Sequence, residues 1–167
     1  HNAWLFEEKV DYRADRKGFN GSDQVTPYQV DESYMQRNLS EKLPADSQIY
    51  LDKIYQFCKR EKSQLLLVNT ISPLVWTNGR HEIIQTWCDE NSVKYVDYNQ
   101  PELLKKIAFD FNTDLRDYGE HVNVYGSRKI CENLGSYIKQ NYTLEDHRKD
   151  SSYQEWNTLA QDASEYD

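Results

Sequence analysis

Several features that define whole classes of protein are scarce or missing in this sequence. No stretch approaches the ~20 consecutive apolar residues of a membrane-spanning helix. Only 38% of the 167 residues are hydrophobic, and the mean hydropathy is -0.94. Acidic residues outnumber basic ones by 28 to 20, which gives a net charge of -8. Because no basic stripe interleaves with aromatic residues, a phosphate backbone would be repelled, and we expect no nucleic-acid partner.

Motifs for cofactors and metals are also missing. The sequence has no P-loop, no Gly-Xaa-Gly-Xaa-Xaa-Gly and no clustered Cys and His ligands, so we expect no cofactor and no bound metal. The three cysteines, Cys58, Cys88 and Cys131, are far apart, and each falls in a predicted helix beside apolar residues. This placement favours buried free thiols over a disulfide or a metal site.

Large aromatic residues are plentiful, and they supply the packing groups that disordered chains lack. The chain has four Trp and thirteen Tyr, so we interpret it as folded but polar. Its length suits one domain with a real core. The chain opens on His1 without a methionine or a signal-like segment, which we interpret as a processed or truncated start.

The periodicity predicts alternating helices and strands. A helix with Asp46 or Ser47 as its N-cap ends in the charged run 59–62. A continuous apolar run at 65–68 is typical of a strand buried on both faces. A helix over 80–91 and a strand over 93–97 complete a βαβ unit, which is right-handed in nearly all known cases. The apolar face of the first helix carries Ile49, Tyr50, Ile54, Phe57 and Cys58.

The flanking regions are less regular. A short strand is predicted at 25–30, a short helix at 101–108, an irregular loop at 110–123 and a helix at 124–140. The core stripe of that last helix is Ile130, Leu134, Tyr137 and Ile138. The chain divides into an irregular N-terminal segment, 1–45, an α/β core, 46–142, and a charged tail, 143–167, with helical spacing of Tyr153, Trp156 and Leu159.

Two parallel strands cannot form a closed sheet alone, because both faces must be covered and the edges protected. The expected fold class is therefore α/β, a three-layer α/β/α arrangement with a parallel sheet, of which this chain is the C-terminal part. A missing N-terminal portion or another chain would complete the sheet. A homo-oligomer in which each copy completes the other's sheet is the rival interpretation.

An acid and a histidine stand four residues apart at the entrance to a helix. His121 could act as a general base, and Asp117 is close enough to hold the other ring nitrogen. Asn123 is a natural cap for the helix, and Gly126 in its first turn allows close approach of another backbone. The spacing alone leaves a second interpretation open, in which the acid is a cap and the histidine a surface residue.

The block 114–129, continuing to 138, resembles the C-terminal block of SGNH-type (GDSL-like) hydrolases. It is closest to a bacterial cell-envelope branch in which an acid and His-Xaa-Asn are followed by Gly and Lys at this spacing. The strand from Leu65 to Thr70 agrees with that branch, as does the tail with Tyr153 and Trp156. Further agreement lies in Ser72, Pro73, Trp76, Arg80, His81, Asp146, His147 and Arg148.

The resemblance implies an O-acyl esterase or acyltransferase that acts on an acylated carbohydrate or another ester. Asp117 and His121 would then belong to a Ser-His-Asp triad, with an extracytoplasmic or cell-envelope location. The Gly-Asp-Ser-like turn that bears the nucleophile in such enzymes is not found, since Gly21-Ser22-Asp23 has another order and follows no apolar strand. We therefore expect this stretch of chain alone to be inactive.

Two further residues are assigned to substrate binding, together with Asn123. His81 could line a substrate cleft, and Trp76 could stack on a sugar ring. Each has a purely structural alternative, since His81 could cap or pack a helix and Trp76 could anchor the core. A non-catalytic glycan-binding or scaffold module of the same fold is the alternative to an enzyme.

Overall fold

A computed structural model describes residues 21–31, 34–37 and 41–163. Five α-helices and four short strands are found in this part of the chain. They are α1 (Ala45–Arg60), β1 (Leu66–Asn69), α2 (Asn78–Asn91), β2 (Lys94–Asp97), α3 (Pro101–Lys106), β3 (Leu115–Arg116), β4 (His121–Val122), α4 (Val124–Asn141) and α5 (Gln154–Ala163). The protein is thus of mixed α/β class, as predicted. None of these helices is long and apolar enough to cross a membrane.

The predicted βαβ unit is confirmed. Strands β1 and β2 pair in parallel with Leu66 opposite Lys94 and Asn69 opposite Asp97, and α2 connects them. Helix α2 is capped by Thr77, whose side chain accepts a hydrogen bond from the Arg80 N–H, and it ends at Ser92 in a left-handed conformation. Both are common helix caps, so residues next to α2 fix where the helix begins and where it ends.

One expectation about β1 is wrong. The apolar run predicted a strand buried on both faces, but Val68 is 37% exposed, and β2 is the only described strand that pairs with β1. A strand is buried on both sides only when neighbouring strands extend the sheet beneath the helices. The described residues therefore leave part of the apolar surface of β1 exposed.

Helix α1 forms, but not with the predicted cap. It begins at Ala45 after Pro44, whose φ of -57° and extended ψ suit the residue before a helix, and no side chain caps it. The helix is attached to α2 by polar and aromatic contacts: the Tyr55 hydroxyl donates to Asn91 O at 3.1 Å, and the Trp87 indole donates to Asp52 at 2.9 Å. Its predicted apolar face is not covered, since none of its residues is buried.

The core lies between the sheet and helices α3 and α4. Its buried residues come from β2, from α4 and from the segments that follow β1, β2 and α3, and they are Ile71, Val96, Tyr98, Ile107 and Ile130. Leu134 and Tyr137 of α4 pack against this cluster, as the predicted stripe requires. Val96 faces this cluster, whereas Tyr95 and Asp97 on the opposite face of β2 lie against the region of α2.

The region before α4 is more ordered than predicted. The expected irregular loop contains the antiparallel pair β3 and β4, with Leu115 opposite Val122 and Arg116 opposite His121. Residues 25–30 do not form the predicted strand, although Thr26 N–H donates to Leu115 O at 2.9 Å and Tyr28 N–H donates to Phe111 O at 3.0 Å. The two donors are two residues apart but their acceptors are four apart, so these bonds do not follow the regular ladder of a strand pair.

The three cysteines differ in burial, and the tail contains the predicted helix. All three cysteines lie in helices, but Cys88 is buried, Cys58 is half-buried and Cys131 is exposed, so the expectation of burial is wrong for Cys131. The helical spacing in the tail is confirmed by α5, which follows a 3-10 turn at Ser151–Tyr153.

Gly126 and Gly135 provide a matched test of close packing on α4. A Cβ at Gly126 would overlap the backbone oxygen of Asp114, whereas a Cβ at Gly135 would meet nothing within 4 Å. We expect Gly126→Ala to lower the free energy of unfolding by about 1–3 kcal/mol. Gly135→Ala should leave it unchanged or raise it by up to about 1 kcal/mol. Urea unfolding of both variants measures the difference, and equal effects would contradict the packing described here.

Candidate active site

Asp117 and His121, the hairpin dyad, are in contact. The His121 ring nitrogen Nδ1 lies 2.8 Å from Asp117 Oδ2, and the backbone N–H of His121 donates to Asp117 Oδ1 at 2.9 Å. Both oxygens of one carboxylate therefore hold one histidine, by its ring and by its backbone. With Nδ1–H donating to the carboxylate, Nε2 is left as the proton acceptor that a general base needs.

The turn that carries the dyad is strained. Asp117, Tyr118 and Gly119 have φ values of 48°, 59° and 91°, all in the left-handed region. Asp visits this region more readily than most residues, but a tyrosine there costs on the order of 1–2 kcal/mol. At Gly119 a side chain would meet the ring of Tyr28 at 3.0 Å. The strained turn is thus held against the segment 21–31.

The stability that the dyad contributes is small. The side chains of His121 and Asp117 are 61% and 41% exposed, and such exposed pairs contribute little in water. Arg116 Nε lies 3.7 Å from the same Asp117 Oδ2, so the carboxylate stands between two nitrogen groups. Stability therefore does not explain why the strained turn holds this pair.

Asn123 connects the start of α4 to the segment before the hairpin. It caps α4, with its side-chain oxygen accepting from Tyr125 N–H and Gly126 N–H, each at 3.1 Å. Its amide nitrogen donates to Thr113 O at 2.7 Å, and the residue is 1% exposed. The predicted cap is confirmed. Substrate contact by Asn123 stays a prediction, while its observed contacts hold the start of α4 against the hairpin.

No nucleophile meets the dyad within the described ranges 21–31, 34–37 and 41–163. None of their hydroxyl or thiol groups is hydrogen-bonded to the His121 ring. Ser22 lies beside the start of α4, where its carbonyl accepts from Val124 N–H at 3.0 Å, but its hydroxyl accepts from Gln24 N–H at 3.3 Å. These contacts do not place the Ser22 hydroxyl on the His121 ring, and the interpretation of Gly21-Ser22-Asp23 as a surface turn stays a prediction.

A second polar cluster, the Asp97 network, stands at the carboxyl ends of β1 and β2. Asp97 is 3% exposed, and its Oδ2 accepts from the Trp76 indole at 2.7 Å and contacts His81 Nδ1 at 2.9 Å. Its Oδ1 accepts from the Asn69 amide at 3.2 Å and from both the backbone and side-chain nitrogens of Asn99 at 2.9 Å. Asn99 is itself fully buried.

The network keeps the buried carboxylate charged. Burial by itself raises the pKa of Asp97, but hydrogen bonds from Asn99, Trp76 and Asn69 outweigh it, and the net pKa lies below the ordinary value of a carboxyl group. A buried anion with this many donors fixes the positions of all of them. It therefore sets the orientation of the Trp76 and His81 rings.

The structure thus brings together Trp76 and His81, two residues predicted to bind substrate, through a third that the sequence did not single out. Asp97 could have been found by its position, since a carboxylate directly after a buried parallel strand lies where α/β proteins bind ligands. The ring of Trp76 lines a cavity of about 340 Å³ with apolar and charged walls that include Leu43, Pro44, Arg80, Ile83 and Ile84.

Residues 21–31 and 34–37 contact both clusters. The Tyr34 hydroxyl lies 3.3 Å from Asn99 Oδ1, and the Tyr34 ring packs edge-on against Phe111 with centroids 6.4 Å apart. Phe111 O accepts from Tyr28, whose ring lies under Gly119 of the dyad turn. The two clusters are therefore connected through Tyr34, Phe111 and Tyr28, by ring packing and by hydrogen bonds.

The described residues form no metal site, and the chain has no recognisable relative. The part of the chain that the structure describes has no group of three or more His, Cys, Asp or Glu side chains suited to a metal ion. The chain matches no protein-family model, and no curated protein and no solved structure is significantly similar to it.

Replacement of Asp97 tests the network. Asp97→Asn retains the size but loses the charge and turns an amide group toward existing donors, so we expect a loss of about 2–4 kcal/mol in the free energy of unfolding. Because the folded-state pKa is lowered, the carboxylate's contribution is complete above the ordinary carboxyl pKa of about 4 and is lost as pH falls through the folded value. The deficit of the variant should therefore shrink in acid.

The control is Asp89→Asn, which changes an exposed carboxylate that accepts a hydrogen bond from the Gln85 side chain at 2.8 Å. Urea titrations of the three proteins at neutral and acid pH measure the effect. A deficit for Asp97→Asn no larger than that of the control, or one that grows in acid, would contradict the role assigned to Asp97.

Proposed function

We propose that this chain is the C-terminal portion of an SGNH-like O-acyl esterase or acyltransferase of the cell envelope that acts on acylated surface glycans. Its part is to contribute the Asp and His of a Ser-His-Asp triad. The observation that carries the proposal is the hairpin dyad: a strained turn holds an imidazole on a carboxylate at 2.8 Å, although the pair is exposed and contributes little to stability.

The proposed fold is a three-layer α/β/α domain. Support comes from the two faces of β2, since Val96 packs into the core with Ile130 of α4 while Asp97 and Tyr95 contact His81 of α2. A parallel strand pair between helices is the arrangement in which ligands bind at the carboxyl ends of the strands. The Asp97 network stands at that edge.

The proposed reaction uses His121 as the base. His121 Nε2 takes the proton of a serine hydroxyl that lies outside the described residues, and the serine oxygen attacks the acyl carbonyl. The imidazolium is stabilised by Asp117 and returns the proton to the sugar oxygen as the C–O ester bond breaks. Water, or a second sugar hydroxyl in a transferase, then releases the acyl group from the serine by the same route.

Trp76 and His81 are proposed to contact the glycan. The indole N–H of Trp76 is held by Asp97, so the exposed part of its ring is fixed in orientation and suits stacking on a sugar. His81 is oriented by the same carboxylate, with its side chain 17% exposed. No cofactor is part of the proposal.

A non-catalytic glycan-binding or scaffold module is the second candidate. It is favoured by the exposure of His121 and by the lack of a hydroxyl group bonded to its ring among the described residues. In that case the strained turn and Trp76 would serve binding alone.

Covalent labelling separates the two. In the whole protein, a fluorophosphonate should label one serine, and His121→Ala should slow labelling at least about 100-fold, because a positioned general base contributes that much or more. Asp117→Asn should also slow it, since the ring would lose the acceptor that orients it. We expect this stretch of chain alone to show neither labelling nor esterase activity.

The control is His147→Ala, which removes another histidine with acidic neighbours, Glu145 and Asp150, each at 3.7 Å. It should label at the wild-type rate. An unlabelled wild-type protein, or equal rates for His121→Ala and wild type, would favour the binding module over the enzyme.

A further inference from the structure

Tyr118 stands at the loop end of the β3–β4 hairpin with most of its side chain in solvent. It is 75% exposed, a higher value than that of any other exposed large hydrophobic residue in the described ranges. None of the described residues forms a hydrogen bond with its hydroxyl group, stacks on its ring or places a cation over it. Neither burial nor bonding therefore explains why a tyrosine occupies this position.

The backbone of Tyr118 is in a conformation that tyrosine rarely adopts. Its φ of 59° and ψ of 32° lie in the left-handed region, where the Cβ atom crowds the next carbonyl oxygen. Outside this turn, the described non-glycine residues with positive φ each follow the last turn of an α-helix, where the left-handed conformation ends the helix; they are Lys62, Ser92 and Ala108. Tyr118 ends no α-helix, so this explanation does not apply to it.

The turn itself does not require a large side chain at position 118. Asparagine and glycine adopt the left-handed region at a lower cost, and the next residue, Gly119, is one of them. Gly119 also makes the close contact of the turn, since it lies against the Tyr28 ring. A strained residue without a compensating contact is a sign of function. The exposed ring is therefore the feature of Tyr118 that a function would use.

The surroundings of the ring indicate which ligand suits it. Asp117 and Glu120 belong to the same turn, and the Asp117 side chain is 41% exposed, while Glu120 is also exposed. Carboxylates accept hydrogen bonds from hydroxyl groups and repel phosphates and other anions. A single ring is also far smaller than the apolar patches that mark protein contacts. A sugar combines an apolar face of C–H groups with a rim of hydroxyl groups, so it matches an aromatic ring bordered by acceptors.

We propose that Tyr118 is a sugar-binding residue, whose ring packs on the face of a neutral pyranose unit of the glycan. Because Tyr118 lies three residues from His121 in the hairpin that also holds Asp117, a sugar bound there stands at the end of the hairpin that carries the base. The inference rests on the proposed function for the ester that is cleaved, and it names the sugar contact on the hairpin. The strained backbone holds the ring in solvent, where a sugar can reach it.

Calorimetric titration of the whole protein with neutral sugars tests this contact. The probes are tetrasaccharides of glucose, of xylose and of N-acetylglucosamine that carry no ester. At least one should bind, and Tyr118→Asn should weaken that binding about 10-fold or more, because it removes the stacked ring. Tyr118→Phe, which keeps the ring, should bind within about threefold of the wild type. The control is Tyr50→Ala, which removes a tyrosine that is 64% exposed on α1 and should not change the affinity.

The same substitution should not lower stability. Asparagine tolerates the left-handed conformation better than tyrosine, so the thermal midpoint of Tyr118→Asn should equal that of the wild type or exceed it by up to about 4 °C. A residue kept for packing would show the opposite change. Weaker sugar binding with an unchanged or raised midpoint supports the proposal, whereas a lowered midpoint overturns it.

Phosphonate labelling of the wild type keeps this proposal separate from the proposed enzyme. An unlabelled protein whose sugar binding depends on Tyr118 would contradict the enzyme and retain this contact. A labelled protein with the same sugar affinity in the wild type and in Tyr118→Asn would overturn the contact alone. A wild type that binds none of the three sugars would overturn the contact whether or not it is labelled.

Discussion

A single buried charge organises the carboxyl edge of the parallel strands. Asp97 ends β2, yet its carboxylate joins β1 through Asn69, the loop before α2 through Trp76, α2 through His81 and the loop after β2 through Asn99. Removal of a carboxylate from water is costly, and only a full set of donors offsets that cost. The four attached segments are thereby held in one arrangement.

The hairpin dyad is held in place by its surroundings rather than by its own hydrogen bonds. Its turn is strained at Asp117 and Tyr118, and its own hydrogen bonds are exposed. Its position is maintained from outside, by Asn123 at the start of α4 and by Tyr28 packed under Gly119. Local strain maintained by surrounding packing is a common property of functional loops, because it fixes side chains without relying on their own interactions.

The elements that the sequence predicted well are those whose causes are local. Helix α4 follows from its apolar stripe and the Asn123 cap, and the contact of Asp117 with His121 joins residues only four apart. The βαβ unit follows from two apolar runs around one amphipathic helix.

The features that were missed depend on distant partners. Asp97 meets Trp76 and His81 across 21 and 16 residues, a separation that leaves no periodic signal. Strands β3 and β4 have two residues each, too few for an alternating pattern. The apolar face predicted for α1 is not buried in the described structure, where the helix contacts α2 through Tyr55 and Asp52 instead. Periodicity indicates which side of a helix is apolar but not which element packs on it.

The central claim is that His121 serves as base for a serine supplied from another part of the protein. A crystal structure of the whole protein with a covalently bound phosphonate tests this most directly. The proposal predicts the modified serine oxygen within about 3.2 Å of His121 Nε2, with Asp117 still on Nδ1. An adduct on a serine remote from His121, with the dyad unchanged and facing solvent, would contradict it.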